Sequence, residues 1–582
     1  MRTQARTAAV ALVAAVSVAL VVSVGGCAAI PKSSQVVPIG SSLGELEDEA
    51  LPVPKEGADP LSIVREFIEL ADTPANGHAA ARTYLTDDAD DAWNSDAHVT
   101  VVAPDYDTLY AVGAVSESDE SVQVLLRAQK VGVLGPDGAF TSNRDTITPL
   151  MNLTRVNGQW RISQLPDGLL IDQRQFSTSY LRAAVTFVDD TRGTLVVDPR
   201  WIPRTPPANW PGRAIDMLLA GPSAAAKDGV ASLLDGAALK TNVVATEDGA
   251  LSVDLSLDRE LTEEERQRAG AQIVRTLAAV WRKPVRIRLN SAQLLPARKD
   301  WNIDDADPFL APAQVKPDLP VLAVANGRLV RAAGAEPIEG PVGDGSLSIL
   351  SGSRSADGEL FGLVTASAGA PQLLIGTLES LTPVSLRASR MTRPTWRAGS
   401  NPELWTVIDD KVGVGVTRTR SGDLRQFGVD LNELAVKGRI TELRLSRDGS
   451  RVAAIVDGAL YVAVVSGAGE ESKVVNPRLL VGPDAPQIAD VDWKTPERVV
   501  VAAMNRDKPF VYDVSIDGVT WAPYGSTNLS GPLTGIAAAN AGRQVYVAES
   551  YQNGGLWSAS LTNDVVWYST ISGQLVDPFY PG

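Results

Sequence analysis

Short apolar segments recur through the last part of the chain, about residues 313–582, at intervals of roughly 40 to 50 residues. The segments are 360–365, 404–408, 452–456, 499–503 and 545–548. The turn Ser446-Arg447-Asp448-Gly449 is typical of a β-propeller blade, because glycine tolerates a positive φ. At about 42 residues per blade, the region predicts a β-propeller of about six blades. A pair of β-sandwiches is the alternative, but a β-sandwich would not produce a regular spacing of roughly 40 to 50 residues between the apolar segments.

The N-terminal residues have the pattern of an export signal. Two arginines precede an uncharged, alanine- and valine-rich stretch at residues 8–24, which is marginally short for a membrane-spanning helix of about 20 residues. The stretch runs into Val24-Gly25-Gly26-Cys27, which resembles a bacterial lipobox. The resemblance implies a signal peptide over residues 1–26 and a diacylglyceryl group on the thiol of Cys27. The alternative is that Cys27 is one more small residue of an uncleaved apolar helix.

Cysteine and histidine are scarce, and this scarcity excludes several kinds of chemistry. Cys27 is the single cysteine among 582 residues, which excludes an intramolecular disulfide and a cysteine-based zinc site. The two histidines, His78 and His98, share no helical face, and we interpret both as surface or packing residues. We therefore predict no catalytic residues, no metal site and no cofactor.

The chain is acidic, with 53 basic and 69 acidic residues and a net charge of −16. This balance argues against a nucleic-acid partner, since neutralising phosphates requires a surplus of lysine and arginine. Removing the signal peptide takes away two arginines and no acid, which gives 51 − 69 = −18. Such a charge does not favour contact with anionic lipid, so we expect the domains to face away from the membrane.

Residues 27–58 are predicted to be a flexible linker after the lipidated cysteine. The segment is rich in proline and serine, without a helical or strand period, and would reach about 30 Å. It contains Gly40-Ser41-Ser42-Leu43-Gly44, which matches the G-x-S-x-G pattern of a nucleophile elbow. That motif requires a preceding strand, a following helix and a histidine base, and the sequence indicates none of them here. We interpret the match as chance.

Residues 59–178 are predicted to form an α+β domain. Asp59-Pro60 is typical of a helix start, a strand is predicted over 122–133, and Asn157-Gly158 predicts a hairpin. A helix packed on a curved sheet resembles the NTF2-like family, whose domains often act as spacers or binding modules. The acidic run at 87–91 lacks the glycine and closing glutamate of an EF-hand loop, so it is interpreted as a solvated face.

Residues 179–300 are predicted to form a second α+β domain. Thr262-Glu263-Glu264-Glu265 is a capping box, so this glutamate cluster is interpreted as a helix start rather than a catalytic site. The region resembles the GerMN domain of envelope and spore-associated proteins, for which no catalytic residues are established. The resemblance is carried by Val197-Asp198-Pro199-Arg200, Leu218-Leu219-Ala220-Gly221-Pro222-Ser223, Val253-Asp254-Leu255-Ser256 and Gln272-Ile273-Val274-Arg275-Thr276-Leu277.

The whole order, from signal and lipobox through two α+β domains to a propeller, resembles the actinobacterial lipoprotein LpqB family. The segment Cys27-Ala28-Ala29-Ile30-Pro31-Lys32-Ser33-Ser34 is also similar to that family's start after the lipobox. The resemblance implies a lipid-anchored protein on the extracytoplasmic face of the cell membrane. It also implies contact with the extracytoplasmic domain of a sensor histidine kinase of the MtrA–MtrB two-component type, and hence a role in cell-envelope homeostasis and division.

Two hypotheses for the function follow. The first is a non-enzymatic accessory protein whose domains contact the sensor kinase and modulate its signalling, because propeller loops present a broad surface without catalytic residues. The alternative is a propeller that binds, or less readily cleaves, a cell-wall glycan. In that case sugars would stack on exposed tryptophans. The candidates are Trp396, Trp405, Trp493, Trp557 and Trp567. The sequence leaves the surface that contacts either ligand unknown.

Overall fold

The computed structural model describes residues 51–582 with short gaps, and the chain from Val53 onward forms one compact unit. The gaps lie at 74–76, 112, 114–115, 117, 190, 312–315, 317, 368, 400–401, 420–421, 485, 526–527, 540–542, 551–553, 560–565 and 573–575. The predicted signal peptide, the lipobox with Cys27, the Gly40–Gly44 motif and most of the predicted linker lie outside the described residues. A first domain, a middle domain and a propeller follow one another along the described chain.

The first domain packs helices against an eight-stranded sheet. Its helices are α1 (Pro60–Leu70), α2 (Ala79–Arg82), α3 (Asp87–Ala92) and α4 (Gln173–Ser179). Its strands are β1 (Val99–Val102), β2 (Asp107–Tyr110), β3 (Ser121–Leu134), β4 (Phe140–Ser142), β5 (Thr146–Ile147), β6 (Leu150–Val156), β7 (Gln159–Gln164) and β8 (Leu169–Asp172). The order is β7-β6-β3-β1-β8, with β1 and β8 parallel, and β2, β4 and β5 also pair with the long strand β3.

Local signals explain where these elements begin and turn. The Asp59 carboxylate accepts the backbone N–H of Leu61 at 3.0 Å and of Ser62 at 3.2 Å, which caps α1 as predicted. Asn157 and Gly158 both adopt positive φ between β6 and β7, as a two-residue hairpin turn requires. The prediction of an α+β fold for this part of the chain is confirmed.

The middle domain contains a two-stranded ribbon and a small mixed sheet. The ribbon is β9 (Tyr180–Val188) and β10 (Leu195–Pro203), and the sheet is β11 (Ala238–Leu239), β12 (Val244–Ala245), β13 (Leu251–Ser256), β14 (Val285–Leu289) and β15 (Ala292–Gln293). Its helices are α5 (Trp210–Leu219) and α6 (Glu263–Leu277), with 3₁₀ turns at Pro207–Asn209 and Ile303–Phe309. Because β13 and β14 are parallel, α6 forms the crossover between them.

The predicted capping box at the start of α6 is present. The Thr262 hydroxyl accepts the N–H of Glu265 at 3.2 Å, and the Glu265 carboxylate accepts the N–H of Thr262 at 2.8 Å. The capping N–H of Thr262 and the guanidinium of Arg259 lower the pKa of Glu265 to about 2. The structure therefore accounts for the glutamate cluster as a helix cap, and this prediction is confirmed.

The last part of the chain forms six sheets arranged as a β-propeller. Blade 1 is β16 (Leu322–Ala325), β17 (Arg328–Arg331) and β38 (Val576–Phe579); blade 2 is β18 (Ile349–Arg354), β19 (Phe361–Ser367), β20 (Ala370–Thr377) and β21 (Ser380–Pro383); blade 3 is β22 (Thr395–Arg397), β23 (Glu403–Ile408), β24 (Val412–Arg418) and β25 (Leu424–Val429). Blade 4 is β26 (Ile440–Leu445), β27 (Arg451–Val456), β28 (Ala459–Ser466) and β29 (Lys473–Leu480); blade 5 is β30 (Gln487–Thr495), β31 (Arg498–Asn505), β32 (Lys508–Ser515) and β33 (Trp521–Pro523); blade 6 is β34 (Leu533–Ala537), β35 (Tyr546–Glu549), β36 (Gly555–Ala559) and β37 (Trp567–Ser572). The short helices α7 (Pro341–Asp344) and α8 (Asn432–Ala435) and a 3₁₀ turn at Gly469–Glu471 lie on connections.

The predicted six blades are confirmed. The five recurring apolar segments overlap the second strands of blades 2 to 6, which are β19, β23, β27, β31 and β35. Blade 1 differs because it combines strands from both ends of this region: β38, at the C-terminus, pairs with β16 from Leu322↔Phe579 to Ala325↔Val576. That pairing closes the ring.

The first and middle domains dock on one end of blades 4 and 5. We call this end the docked face, defined by the turns at 446–450, 496–497 and 516–520. Trp201 of β10 donates its indole N–H to Asp517 at 3.0 Å, and Arg182 of β9 forms an ion pair with Glu497. Further contacts from a side chain to a backbone carbonyl include Arg451 Nη2 to Val197 O at 2.5 Å, Gln173 Nε2 to Val519 O at 3.0 Å and Arg144 Nε to Val481 O at 2.8 Å.

We predict that Asp517→Ala weakens this docking. The Asp517 carboxylate is 2% exposed and accepts hydrogen bonds from Trp201, Ser515 and Val519, so its loss leaves buried donors unpaired. We expect the free energy of unfolding to fall by about 2 kcal/mol in thermal or denaturant melts. Asp507→Ala, on an exposed loop of the same blade, is the control and should change stability by less than about 0.5 kcal/mol. Equal effects of the two substitutions would contradict this role of Asp517.

Candidate interaction face of the propeller

The end of the propeller opposite the docked face is built from tight hairpins. Consecutive strands of a blade run in opposite directions, so the loops between second and third strands lie away from the docked turns. Asp409-Asp410 and Asp457-Gly458 make two such loops with positive φ at both positions. We call this surface, formed by loops 409–411, 457–458 and 506–507 with the connections into β22 and β26, the open face. In the part of the chain that the structure describes, no hydrogen bond or ion pair joins it to the first two domains.

A cavity of about 510 Å³ lies on the open face between blades 2, 3 and 4. Its walls include the buried side chains of Val364, Val407 and Ile440 and the partly buried Met391. Leu350, at the start of blade 2, also lines the cavity and is 54% exposed. A volume of this size, with mostly apolar walls, is typical of sites that receive a ligand or a side chain of a partner protein.

Charged pairs form the rim of this cavity. Arg390 binds Asp410 at 2.5 Å, and Arg439 lies 3.3 Å from Asp457. Asp409 accepts the hydroxyl and the backbone N–H of Ser389, and these bonds hold the pKa of its carboxyl below the ordinary value. An apolar centre surrounded by exposed charged groups is the usual anatomy of a protein–protein interface.

A cluster of charged side chains occupies the propeller axis beneath the open face. Arg393, just before β22, donates to Asp577 of β38 at 2.9 Å and to the carbonyl of Pro578 at 2.6 Å. Its second terminal nitrogen lies 3.4 Å from Asp490 of β30 and 3.3 Å from the carbonyl of Ile536. One guanidinium therefore contacts three innermost strands, those of blades 1, 5 and 6.

Blade 4 adds an adjacent ion pair to this cluster. Arg444 and Glu442, both on β26, contact each other, and Arg444 lies 3.7 Å from Asp490. Arg444 also donates to the carbonyl of Arg393 at 3.1 Å. The Asp490 carboxylate accepts the N–H of Ile536 at 2.7 Å, so charged and backbone groups are interleaved around the axis.

Another buried arginine, Arg447, follows the innermost strand of blade 4 in the turn on the docked face. Arg447 donates to the carbonyls of Trp493, of Ala538 at 2.7 Å and of Pro581 at 3.2 Å. Asp492 lies 3.8 Å from Arg447 and accepts the N–H of Ala538 at 2.8 Å. These bonds tie blades 4, 5 and 6 to the C-terminus.

Burial and crowding of carboxylates change the proton affinities in this cluster. Burial raises the pKa of Glu442 to about 8, and Asp490 and Asp577 add to the effect. Burial also raises the pKa of Asp577. For Arg393, burial opposes the charge, but the facing Asp490 and Asp577 outweigh it and raise the pKa. In this cluster the guanidiniums of Arg393, Arg444 and Arg447 face four carboxyl groups, those of Glu442, Asp490, Asp492 and Asp577.

The residues singled out by the sequence are dispersed. Cys27, Val24, Gly25 and Gly26 lie outside the described residues. His78 is buried at the start of α2 with its ring 6.3 Å from that of Trp93, and burial lowers its pKa. His98 lies in the first domain, beside a cavity there. The acidic run forms α3, where Asp90 binds Arg82 at 2.6 Å. Among the described residues, no group of acidic and histidine side chains is arranged to hold a metal ion.

The five tryptophans considered for sugar binding do not form an exposed platform. Trp396, Trp405, Trp493 and Trp567 are each no more than 2% exposed and belong to the cores between blades. Trp557 is partly buried in the core between blades 5 and 6. These residues therefore do not supply the stacking surface that the glycan alternative requires, because packing between blades uses their rings.

The sequence analysis missed the axial cluster and the open-face cavity. The residues of the cluster are far apart in the chain, and only ring closure brings Arg393 next to Asp577. The sequence does contain a feature that could have predicted the cluster. Charged side chains are rare in short apolar strands, yet such strands contain or directly follow Arg393, Arg444 and Asp490. Such charges indicate pairing across the axis.

Family models match the three domains in sequence. They are the lipoprotein LpqB N-terminal domain over residues 53–177, a sporulation and spore germination domain over 184–295, and the lipoprotein LpqB beta-propeller domain over 327–581. Among solved structures, a prolyl endopeptidase covers 42% of this chain and 45% of its own, at 12% identity and a TM-score of 0.29. That likeness is too low to carry an inference about activity.

Relatives match over nearly the whole length. Lipoprotein LpqB of Nocardia farcinica is 30% identical over 600 residues, covering 97% of each chain. The proteins of that name from Rhodococcus jostii and Mycolicibacterium smegmatis are 29% and 30% identical. They cover 98% and 91% of this chain, and 97% and 92% of their own.

The domains and these matches define a multi-domain lipoprotein built on a six-bladed propeller. The chain belongs to the lipoprotein LpqB family. Among the described residues, no helix is long and apolar enough to cross a membrane.

We predict that Glu442 makes the stability of the propeller depend on pH. Its folded-state pKa of about 8 lies above the ordinary value of 4.5. Its favourable contribution is therefore complete below about pH 4.5 and is lost as the pH rises through about 8. We expect that loss to be on the order of 2–4 kcal/mol.

The Glu442→Gln variant tests this dependence, because glutamine stays neutral. Melting temperatures at pH 5 to 9 should show similar stability at pH 5 and a more stable variant at pH 9. Glu339→Gln, at an exposed position, is the control and should follow the wild-type profile. Parallel profiles of Glu442→Gln and wild type would show that Glu442 does not titrate in this range.

Proposed function

We propose that this lipoprotein is a non-enzymatic accessory protein whose open face binds the extracytoplasmic domain of a sensor histidine kinase. The observation that carries the proposal is the apolar cavity with its charged rim, on the propeller end that the first two domains leave uncovered. Binding there would bias the kinase between its signalling states, since a partner shifts an equilibrium only by its differential affinity. The family resemblance supplies the kinase class, of the MtrA–MtrB type, and the link to cell-envelope homeostasis and division.

Several observations support binding rather than catalysis. Both histidines of the chain lie in the first domain, away from the open face. The axial carboxylates Glu442, Asp490 and Asp577 are engaged with arginines. The rival glycan-binding function has less support, because four of the five tryptophans considered for it are buried and Trp557 is partly buried. The kinase hypothesis therefore has the better support.

Attachment through Cys27 places these domains outside the cell in this proposal. A net charge of −18 after signal removal does not favour contact of the domains with anionic lipid. A tether of about 30 residues would let the folded unit reach about 30 Å from its anchor. The open face would then meet a partner that projects from the same membrane.

We predict that Leu350→Ser weakens kinase binding. An exposed leucine at the edge of an apolar cavity is a typical interface anchor, and its truncation commonly costs a factor of about 10 in Kd. Residues 53–582, the compact unit, would be tested against the purified extracytoplasmic kinase domain by biolayer interferometry. Leu479→Ser, at a 40% exposed leucine on outer strand β29, is the matched control and should bind like wild type. Absence of wild-type binding at micromolar concentration would overturn the proposal.

We also predict that Cys27→Ser abolishes lipid attachment. The thiol is the acceptor in a lipobox, and a serine hydroxyl does not replace it. Metabolic labelling with an alkyne-bearing palmitate should label the wild type and leave the variant unlabelled, with the variant retained at precursor length. Ser33→Ala, a few residues along the predicted linker, should label normally. Labelling of Cys27→Ser at the wild-type level would contradict the assignment of the anchor.

A further inference from the structure

A second cavity, of about 360 Å³, lies inside the first domain, far along the chain from the open face. Its lining comes from α1, β1, β3, β8 and the segments around residues 147–151 and 165–168. The apolar part of the lining includes Phe67, Val133, Ile147, Met151, Leu165 and Leu170. This volume and composition match those of pockets that enclose small ligands, whose walls are mostly apolar with a few polar groups.

A lysine lies on the core-facing side of the sheet at this cavity. Along β3 the alternate residues Val124, Leu126 and Ala128 are almost fully buried, and the same alternation places Lys130 on their face. A bulge follows directly, because Val101 and Val102 of β1 pair with Gly132 and Lys130 and leave one residue of β3 unpaired. The lysine thus occupies the position that an apolar core residue would otherwise take.

The charge of Lys130 is only weakly compensated. Its side chain is 17% exposed, and its ammonium lies 3.8 Å from a carboxylate oxygen of Asp145, which is itself 63% exposed. An ion pair at that distance to a solvated partner contributes little, so the ammonium of this mostly buried side chain can accept a further partner. A ligand anion in the cavity would supply one.

His98 lies at the same cavity, next to Gly168. Its backbone carbonyl accepts the N–H of Leu169 at 2.8 Å, which fixes the residue at the sheet edge. Within the described residues no hydrogen bond of its imidazole is observed, so a ring N–H is free to donate to a ligand. The remaining charged wall residue, Asp167, already accepts the N–H of Asn94 at 3.1 Å.

We propose that this cavity binds a small amphipathic anion. The apolar chain of the ligand would lie against the side chains of Phe67 and Met151, and its acidic head would bind Lys130 and His98. A carboxylate and a phosphate share this chemistry, and both accept charge-assisted hydrogen bonds from lysine and imidazole. The first domain would then act as a ligand-binding module as well as a spacer. This inference is independent of the kinase-binding open face.

The proposal can be tested with residues 53–582, the compact unit, and the probe 11-(dansylamino)undecanoate. We expect a saturable rise in dansyl fluorescence with micromolar affinity. Dodecanoate and dodecyl phosphate should displace the probe, and dodecanol should do so at least about tenfold less well, because it lacks the charged head. The more effective of the two anions identifies the head group. Absence of saturable binding up to about 100 µM, or equal displacement by dodecanol, would overturn the proposal.

Two substitutions locate the binding. Lys130→Met keeps the chain length and removes the charge, so we expect probe affinity to fall at least about tenfold. Val133→Trp fills the cavity and should abolish saturable binding, with circular dichroism checking that the domain remains folded. Lys283→Met, at an exposed lysine of the middle domain, is the matched control and should bind like wild type. Undiminished binding by both cavity variants would place the ligand elsewhere and contradict the inference.

Discussion

The contact between Arg393 and Asp577 is the interaction on which the rest of the propeller depends. Asp577 lies on the C-terminal strand β38, which completes blade 1 by pairing with β16. The same guanidinium approaches Asp490 of blade 5 and the carbonyl of Ile536 in blade 6. Because a buried guanidinium without partners is strongly destabilising, the arrangement is favourable only when the ring is closed. Closure of the ring and burial of this charge therefore stabilise each other.

A closed ring gives the protein two chemically different ends. The docked face uses side chains of blades 4 and 5 to hold the middle and first domains, through Asp517, Glu497 and Arg451. The open face keeps short Asp-rich hairpins and an apolar cavity with arginine–aspartate pairs at its rim. Packing between blades buries Trp396, Trp405, Trp493 and Trp567, so these four rings are not displayed on either end.

Much of this architecture could be predicted because its causes are local in the sequence. Turn chemistry at Asn157-Gly158, helix caps at Asp59 and Thr262, and the recurring second strands of the blades each depend on a few neighbouring residues. The axial cluster depends instead on ring closure, which places residues 393, 490 and 577 side by side. The first-domain cavity also depends on contacts between distant parts of the chain. The strand that contains Lys130 could be predicted, but the face on which Lys130 lies follows from the pairing register of that strand. His98 becomes a candidate ligand contact only because the fold places it at the same cavity as Lys130.

The axial cluster also shows why an unusual pKa is not by itself a sign of catalysis. Glu442, with its raised pKa and with further carboxyl groups nearby, resembles the carboxyl pair that glycoside hydrolysis uses. Here Arg444 contacts Glu442, and Arg393 binds Asp577, so each carboxyl group is engaged by a guanidinium within the protein. A sugar would have to displace those cations from a largely buried site at a cost of several kcal/mol. The raised pKa therefore reflects burial of the carboxyl group in the closed ring, and the neighbouring Asp490 and Asp577 add to it. The surface available to a partner lies above this cluster, on the open face.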